Sequence, residues 1–258
     1  MNTVRVAKTL NLIAGDGKTN VLYLNTLDYE RWSEITSQEA WINAFNEGFR
    51  KFKQLRKTGD TSFANFQFDV LMANPPFAGE IKESRVISKF ELGKNTNGKW
   101  KNKVDRDILF IERNLNFLKP GGRMAIVLPQ GRFNNSTDKY IREFISDKCR
   151  ILGVIGLHKN TFKPHTGTKT SVLLVQKWDD ILCPRKENYN IFFATMKEKG
   201  KDNSGQKIYV KNEDGTNLLD KHGHLIVKHD LFNHDGLTSD GIAEAFIEFA
   251  KKENLSFF

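Results

Sequence analysis

Phe68-Asp69-Val70-Leu71-Met72-Ala73-Asn74-Pro75-Pro76-Phe77 decides how this chain folds. Residues 68–72 form a short apolar run with the character of a buried strand. Asn74-Pro75-Pro76-Phe77 stops that run abruptly. In open α/β sheets, ligands bind beyond the carboxyl ends of strands, which is where these four residues fall. The Asn74 side-chain oxygen can accept a hydrogen bond from an amino group, and the Pro75 carbonyl can accept a second. Neither Pro75 nor Pro76 has an N–H needing its own partner, and two fixed φ angles hold the loop extended. Phe77 offers a flat face for a planar ring. Two acceptors aimed at one exocyclic amine, beside a stacking ring, suit adenine. They localise the nitrogen lone pair, so no strong base is needed. Taken alone, the four residues read equally well as a strand-ending turn with a core phenylalanine.

Outward from this stretch, strands and helices alternate. Towards the amino end, residues 4–13 read as a helix through Val6, Leu10 and Ile13, stopped at Gly15-Asp16-Gly17. Residues 21–24 read as a strand. Trp41, Phe45, Phe49 and Phe52 mark an amphipathic helix inserted between that strand and the next. Towards the carboxyl end, Ile108, Ile111, Leu115 and Leu118 define a helix over 105–118, ended by Pro120-Gly121-Gly122. Strands follow at 124–128, 151–157 and 171–176, with a helix at 137–147 and a loop at 158–170. The pattern predicts a mainly parallel α/β sheet with helices on both faces. Beyond Pro184 a strand at 190–194, a hairpin of 207–211 with 225–228, and a helix at 241–251 form an appendage. The division expected is therefore 1–183 and 184–258. No internal repeat stands out.

The chain has 258 residues, 39% of them hydrophobic and 28% charged, enough for a sizeable core. No run of eighteen apolar residues and no signal-peptide pattern is present, so a cytoplasmic location without a membrane span is expected. Cys149 and Cys183 are the only cysteines, too few for a disulfide framework, and read as structural thiols. His222, His224, His229 and His234 lack the spacing of a zinc site, and no metal is expected. The net charge is +9, and residues 195–258 hold nine lysines against eleven acids, so the excess lies in the first 194 residues. A polyanion such as nucleic acid fits that body, and so does solubility alone. The segment 82–106, directly after the strand-end motif, carries eight basic residues and three acids. Lys82, Arg85, Lys89, Lys94, Lys99, Lys101 and Lys103 are the candidate phosphate contacts, with a solvated loop as the alternative.

The ten residues quoted first resemble the catalytic motif of amino-methylating DNA methyltransferases. The order of motifs around them resembles the modification (M) subunit of type I restriction–modification systems. Arg5-Val6-Ala7-Lys8 with Gly15-Asp16-Gly17, Asp107-Ile108-Leu109-Phe110-Ile111, Leu118-Lys119-Pro120-Gly121-Gly122-Arg123 through Pro129, and residues 162–175 carry the likeness through nearly the whole chain. The resemblance implies methyl transfer from S-adenosylmethionine to N6 of a flipped adenine in DNA. It implies that Asn74 and the Pro75 carbonyl hold the amine and Phe77 stacks on the base. Phe162 falls where the family places a second aromatic contact, and reads equally as a core phenylalanine. Asn25 or Asp28 would lie near the cofactor adenine, or simply cap a strand.

The resemblance also implies partners: DNA, a specificity (S) subunit and a restriction (R) subunit. The family's Gly-rich cofactor turn has no counterpart before Asn74, and Gly15-Asp16-Gly17 follows a helix instead of a strand. The expectation is therefore an incomplete Rossmann-like sheet from a truncated or split M subunit, inactive alone: the strands at 21–24 and 68–72 pair directly, leave two apolar edges exposed, or are bridged by another polypeptide such as a separate N-terminal methyltransferase fragment. A non-catalytic remnant that only binds DNA or a specificity subunit is the alternative.

Overall fold

The computed structural model describes residues 2–15, 20–59, 62–239 and 241–257. Asp16 and Gly17 of the expected helix stop lie outside them. The helices are α1 (Asn2–Ile13), α2 (Trp32–Thr36), α3 (Glu39–Gln54), α4 (Ser84–Ile87), α5 (Arg106–Phe117), α6 (Gly131–Asn134), α7 (Lys139–Lys148) and α8 (Ile242–Lys252). The strands are β1 (Phe68–Ala73), β2 (Glu80–Ile81), β3 (Val104–Asp105), β4 (Leu118–Pro129), β5 (Cys149–Gly156), β6 (Thr170–Lys177) and β7 (Phe192–Thr195). Strand order is β1-β4-β6-β5-β7, with β2 and β3 forming a separate pair. Two compact units are present: Met1–Leu71 with Gly79–Gly122, and Met72–Ala78 with Arg123–Phe258.

The first unit is organised by aromatic residues. Trp32, Phe66 and Phe117 are buried together, and Leu24, Tyr29, Phe52, Phe63, Phe68 and Leu71 pack around them. Phe52 of α3 stacks on Phe66 at 4.2 Å, so the inserted helix contributes directly to this core. Each such ring contributes about 1.5–3 kcal/mol by leaving water. Arg113 lies within the same core, fully buried. Its guanidinium donates to the carbonyls of Thr26 (2.9 Å), Phe63 (2.7 Å) and Ala64. It also lies 4.3 Å from the Tyr29 ring and 4.2 Å from the Phe117 ring. Burial pulls its pKa down to about 9.

Residues 21–24, expected as a strand, form none. Indole donors satisfy the neighbouring backbone in place of a ladder: Trp41 Nε1 donates to Tyr23 O at 3.0 Å, and Trp32 Nε1 to Asn25 O at 2.8 Å. Pro120-Gly121-Gly122 also differs from expectation. Helix α5 already ends at Phe117, and these residues lie within β4. Gly121 has φ +74°, and a Cβ on Gly122 would sit 2.9 Å from both Lys119 O and Phe68 O. The glycine pair thus lets β4 approach β1 where a side chain would collide.

In the second unit the sheet is mixed, which corrects the mainly parallel expectation. β6 is antiparallel to both β4 and β5, and only β5–β7 is parallel among the described ladders. The reason is the connection: a parallel neighbour usually needs a helical crossover. β5 and β6 are joined by the helix-free loop 157–169, so the chain turns back and β6 enters between β4 and β5. Leu152 of β5 packs with Ala250 of α8 and Leu255. Segment 184–258 therefore adds a strand, β7, and a helix, α8, to this unit. Cys149 and Cys183 are buried and free. Burial pushes the Cys149 thiol up to about 12 and raises Cys183 as well.

Residues 200–228 hold a repeat that was not apparent in the sequence. Three small hairpins close at the bridges Lys201–Lys207, Lys211–Asn217 and Leu219–Leu225. Their tips share an Asx-Xaa-Xaa-Gly pattern: Asp202 with Gly205, Asn212 with Gly215, and Asp220 with Gly223, each glycine at positive φ. The hairpins are tied by two closed rings of backbone hydrogen bonds. In one, Val210 donates to Ile226, Ile226 to Leu218, and Leu218 to Val210, at 2.9, 3.1 and 2.9 Å. In the other, Ile208 donates to Gly200, Gly200 to Lys228, and Lys228 to Ile208, at 3.0, 3.1 and 2.7 Å. The rings satisfy backbone that no extended ladder satisfies. The expected single hairpin of 207–211 with 225–228 is one side of this threefold arrangement.

Candidate functional site

β1 delivers the strand-end motif. Its last residue is Ala73, and Asn74 follows immediately with an exposed side chain. Pro75 is buried and anchors the turn, whereas Pro76 is exposed. Phe77 is half-buried, and its ring meets Phe162 edge-on, with centroids 5.0 Å apart and planes at 73°. The structure therefore brings together two residues separated by most of the sheet in sequence. A polar side chain, a carbonyl on a rigid proline and a pair of aromatic rings can together receive a flat base bearing an amine.

Phe162 rides on the loop between β5 and β6. The loop is held by its own turns: Lys163 N donates to Asn160 O at 3.1 Å, and His165 N to Phe162 O at 3.0 Å. His158 opens it, with a pKa lowered by burial first and then by the charges of Lys159, Lys199, Lys169 and Lys163. This positive field beside Phe162 was not picked out in the sequence, because its lysines come from two separate segments.

Asn25 and Asp28 are both engaged within the first unit. Asn25 Oδ1 accepts from Leu27 N at 3.2 Å. Asp28 receives a two-pronged hydrogen bond from Arg85, one arm at 2.8 Å, and this contact holds its carboxyl below the usual range. The basic segment after the motif divides in two. Arg85 pairs with Asp28, Lys89 with Glu30 at 2.5 Å, and Lys103 with Glu80 at 2.7 Å. Lys82 and Lys99 are exposed, Lys94 lies 4.8 Å over the Trp100 ring, and Lys101 is half-buried. The segment is ordered from beneath by Glu112, which accepts from Glu91 N and Leu92 N at 2.9 Å each.

Among the described residues, no group of three or more His, Cys, Asp or Glu could hold a metal ion, and no helix is long and apolar enough to cross a membrane. His222 and His224 sit on the third hairpin, and His229 neighbours His234 with rings 4.8 Å apart.

Residues 35–247 match the family model described as N-6 DNA Methylase, and the chain belongs to that family. It is 30% identical over 112 residues to the EcoEI type I restriction enzyme methylase subunit of Escherichia coli, covering 43% of this chain and 21% of that protein. It is 27% identical over 114 residues to the Escherichia coli type II restriction enzyme and methyltransferase RM.Eco57I, covering 44% of this chain and 11% of that one. A solved type I restriction–modification methyltransferase subunit from Streptococcus thermophilus superposes with a TM-score of 0.42 at 22% identity, covering 77% of this chain and 34% of that one. The chain thus spans about a fifth of the length of the EcoEI subunit.

Proposed function

We propose that this chain carries the base-holding part of a type I restriction–modification methyltransferase that methylates N6 of adenine in DNA. One observation carries the reading: in a member of the N-6 DNA methylase family, Asn74-Pro75-Pro76-Phe77 leaves β1 with Phe77 set against Phe162. The target adenine leaves the duplex, because its amino group is otherwise paired and stacked. Asn74 Oδ1 and the Pro75 carbonyl accept the two amino hydrogens. Their dipoles hold the nitrogen lone pair on the nitrogen and favour the positive charge that develops there during methylation. Phe77 stacks on the base, and Phe162 closes the aromatic wall.

S-adenosylmethionine is the methyl donor of this reading. The residues assigned to it, Asn25 and Asp28, do not fit that role as arranged, since both are held by other partners. Only the amine-holding half of the reaction is therefore derived from this chain. DNA, a specificity subunit and a restriction subunit are the partners proposed. Lys82, Lys94 and Lys99 are the first phosphate contacts to test, because Arg85, Lys89 and Lys103 hold carboxylates. The test is nucleoside analysis of DNA incubated with the assembled enzyme and labelled S-adenosylmethionine. Label in N6-methyladenine is expected, and label confined to methylcytosine would refute the assignment.

A further inference from the structure

The first hairpin of the 200–228 repeat is built against the loop that carries Phe162. Asn160 is fully buried. Its Nδ2 donates to Lys201 O at 3.0 Å and to Asn203 Oδ1 at 3.2 Å. Two lysines cross between the same segments in opposite directions: Lys163 Nζ donates to Asn203 O at 3.0 Å, and Lys201 Nζ to Lys163 O at 2.9 Å. At the tip, Gly205 lies so close to the loop that a Cβ there would sit 2.7 Å from Pro164 N and 2.8 Å from its Cδ. Phe162 lies within the span Asn160 to Pro164, so all these contacts bracket it.

The other two hairpins show what is particular to the first. Gly215 and Gly223 occupy the same place in their tips and have positive φ, yet a Cβ on either would meet nothing within 4 Å. The turn geometry requires all three glycines, but only Gly205 has a second reason to lack a side chain. That reason is its approach to the Phe162 loop.

We propose that the first hairpin is a clamp that positions Phe162 against Phe77, making Asn160, Asn203 and Gly205 positioning residues for the flipped base. The inference rests on the base-holding reading above. It goes beyond that reading in giving the carboxyl-terminal repeat a role in catalysis. Phe162 is on a loop with no helix or strand of its own, and its ring contact with Phe77 needs the loop fixed to well under an ångström. Misplacement of a reacting group by about 1 Å can cost about 10²-fold in rate.

The experiment compares Gly205→Ala with Gly215→Ala in the assembled methyltransferase. Both substitutions place an alanine at positive φ, +95° and +84°, and only the first pushes on Pro164. Two readouts are taken: amide hydrogen exchange of residues 160–166, and kcat and KM for DNA methylation. A third arm reads the fluorescence of a DNA duplex with 2-aminopurine at the target base. The clamp predicts faster exchange, altered 2-aminopurine emission and a kcat lower by about 10–100-fold for Gly205→Ala alone. Asn160→Asp, which removes the donor without changing side-chain size, should reproduce the pattern. Equal behaviour of the two glycine variants overturns the clamp. Faster exchange with unchanged kcat and emission overturns the catalytic role while leaving the docking contact standing. Base emission that does not change when the unsubstituted enzyme binds would instead count against the base-holding reading itself.

Discussion

Asn74→Ala is expected to lower methyl transfer to DNA by the assembled enzyme by about 10²–10³-fold, the effect of removing one preorganised partner of a developing charge. The loss falls on kcat, because the contact to the amine strengthens as the nitrogen becomes positive in the transition state. Binding of DNA changes little, since phosphate contacts dominate affinity. The exposed position of Asn74 makes this a clean substitution, with no core side chain removed. Asn74→Asp is informative beside it. A carboxylate still accepts a hydrogen bond, so it retains more activity than alanine if acceptance is the role. Steady-state methylation with labelled S-adenosylmethionine checks both variants. Full activity in Asn74→Ala removes the assigned role.

Arg113→Ala is the substitution with the largest expected effect on stability. Three carbonyls, of Thr26, Phe63 and Ala64, lose their donor together. Each buried group left unsatisfied costs about 1–3 kcal/mol, and the emptied space adds a cavity term. A loss of at least about 3 kcal/mol follows. Arg113→Lys recovers little of it, because an ammonium cannot present the planar fork that reaches three carbonyls at once. The low pKa of the buried guanidinium does not mean that it can be dispensed with. Its hydrogen bonds and its contacts with Tyr29 and Phe117 offset a burial that no carboxylate among the described residues neutralises. A urea unfolding series measures the change, and an unfolding free energy within about 0.5 kcal/mol of the parent would contradict this account.

The end of β1 and the longer helices were legible in the sequence, whereas the pairing of the strands was not. The strand-end motif could be read because strand, abrupt stop and residue chemistry lie within ten consecutive positions. Helices α3, α5 and α7 could be read because their apolar positions recur at helical spacing. Residues 21–24 were misread because an apolar run shows burial without showing what satisfies its backbone. Here two tryptophan indoles from later elements supply donors. The mixed sheet was missed because a loop and a crossover look alike until the pairing partner of β6 is known. The threefold repeat escaped because its glycines are spaced ten and eight apart and its tips differ in composition. The Asx-Xaa-Xaa-Gly recurrence at 202, 212 and 220 was the available signal. The pairing of Arg85 with Asp28 joins residues 57 positions apart, which no local pattern reveals.

The most direct measurement of the central claim is a structure of the assembled methyltransferase on DNA containing its target site. The account predicts an extrahelical adenine lying on Phe77, with its N6 within hydrogen-bond distance of both Asn74 Oδ1 and the Pro75 carbonyl, and Phe162 against the base. An adenine held elsewhere, with Asn74 and Pro75 facing solvent, would contradict it.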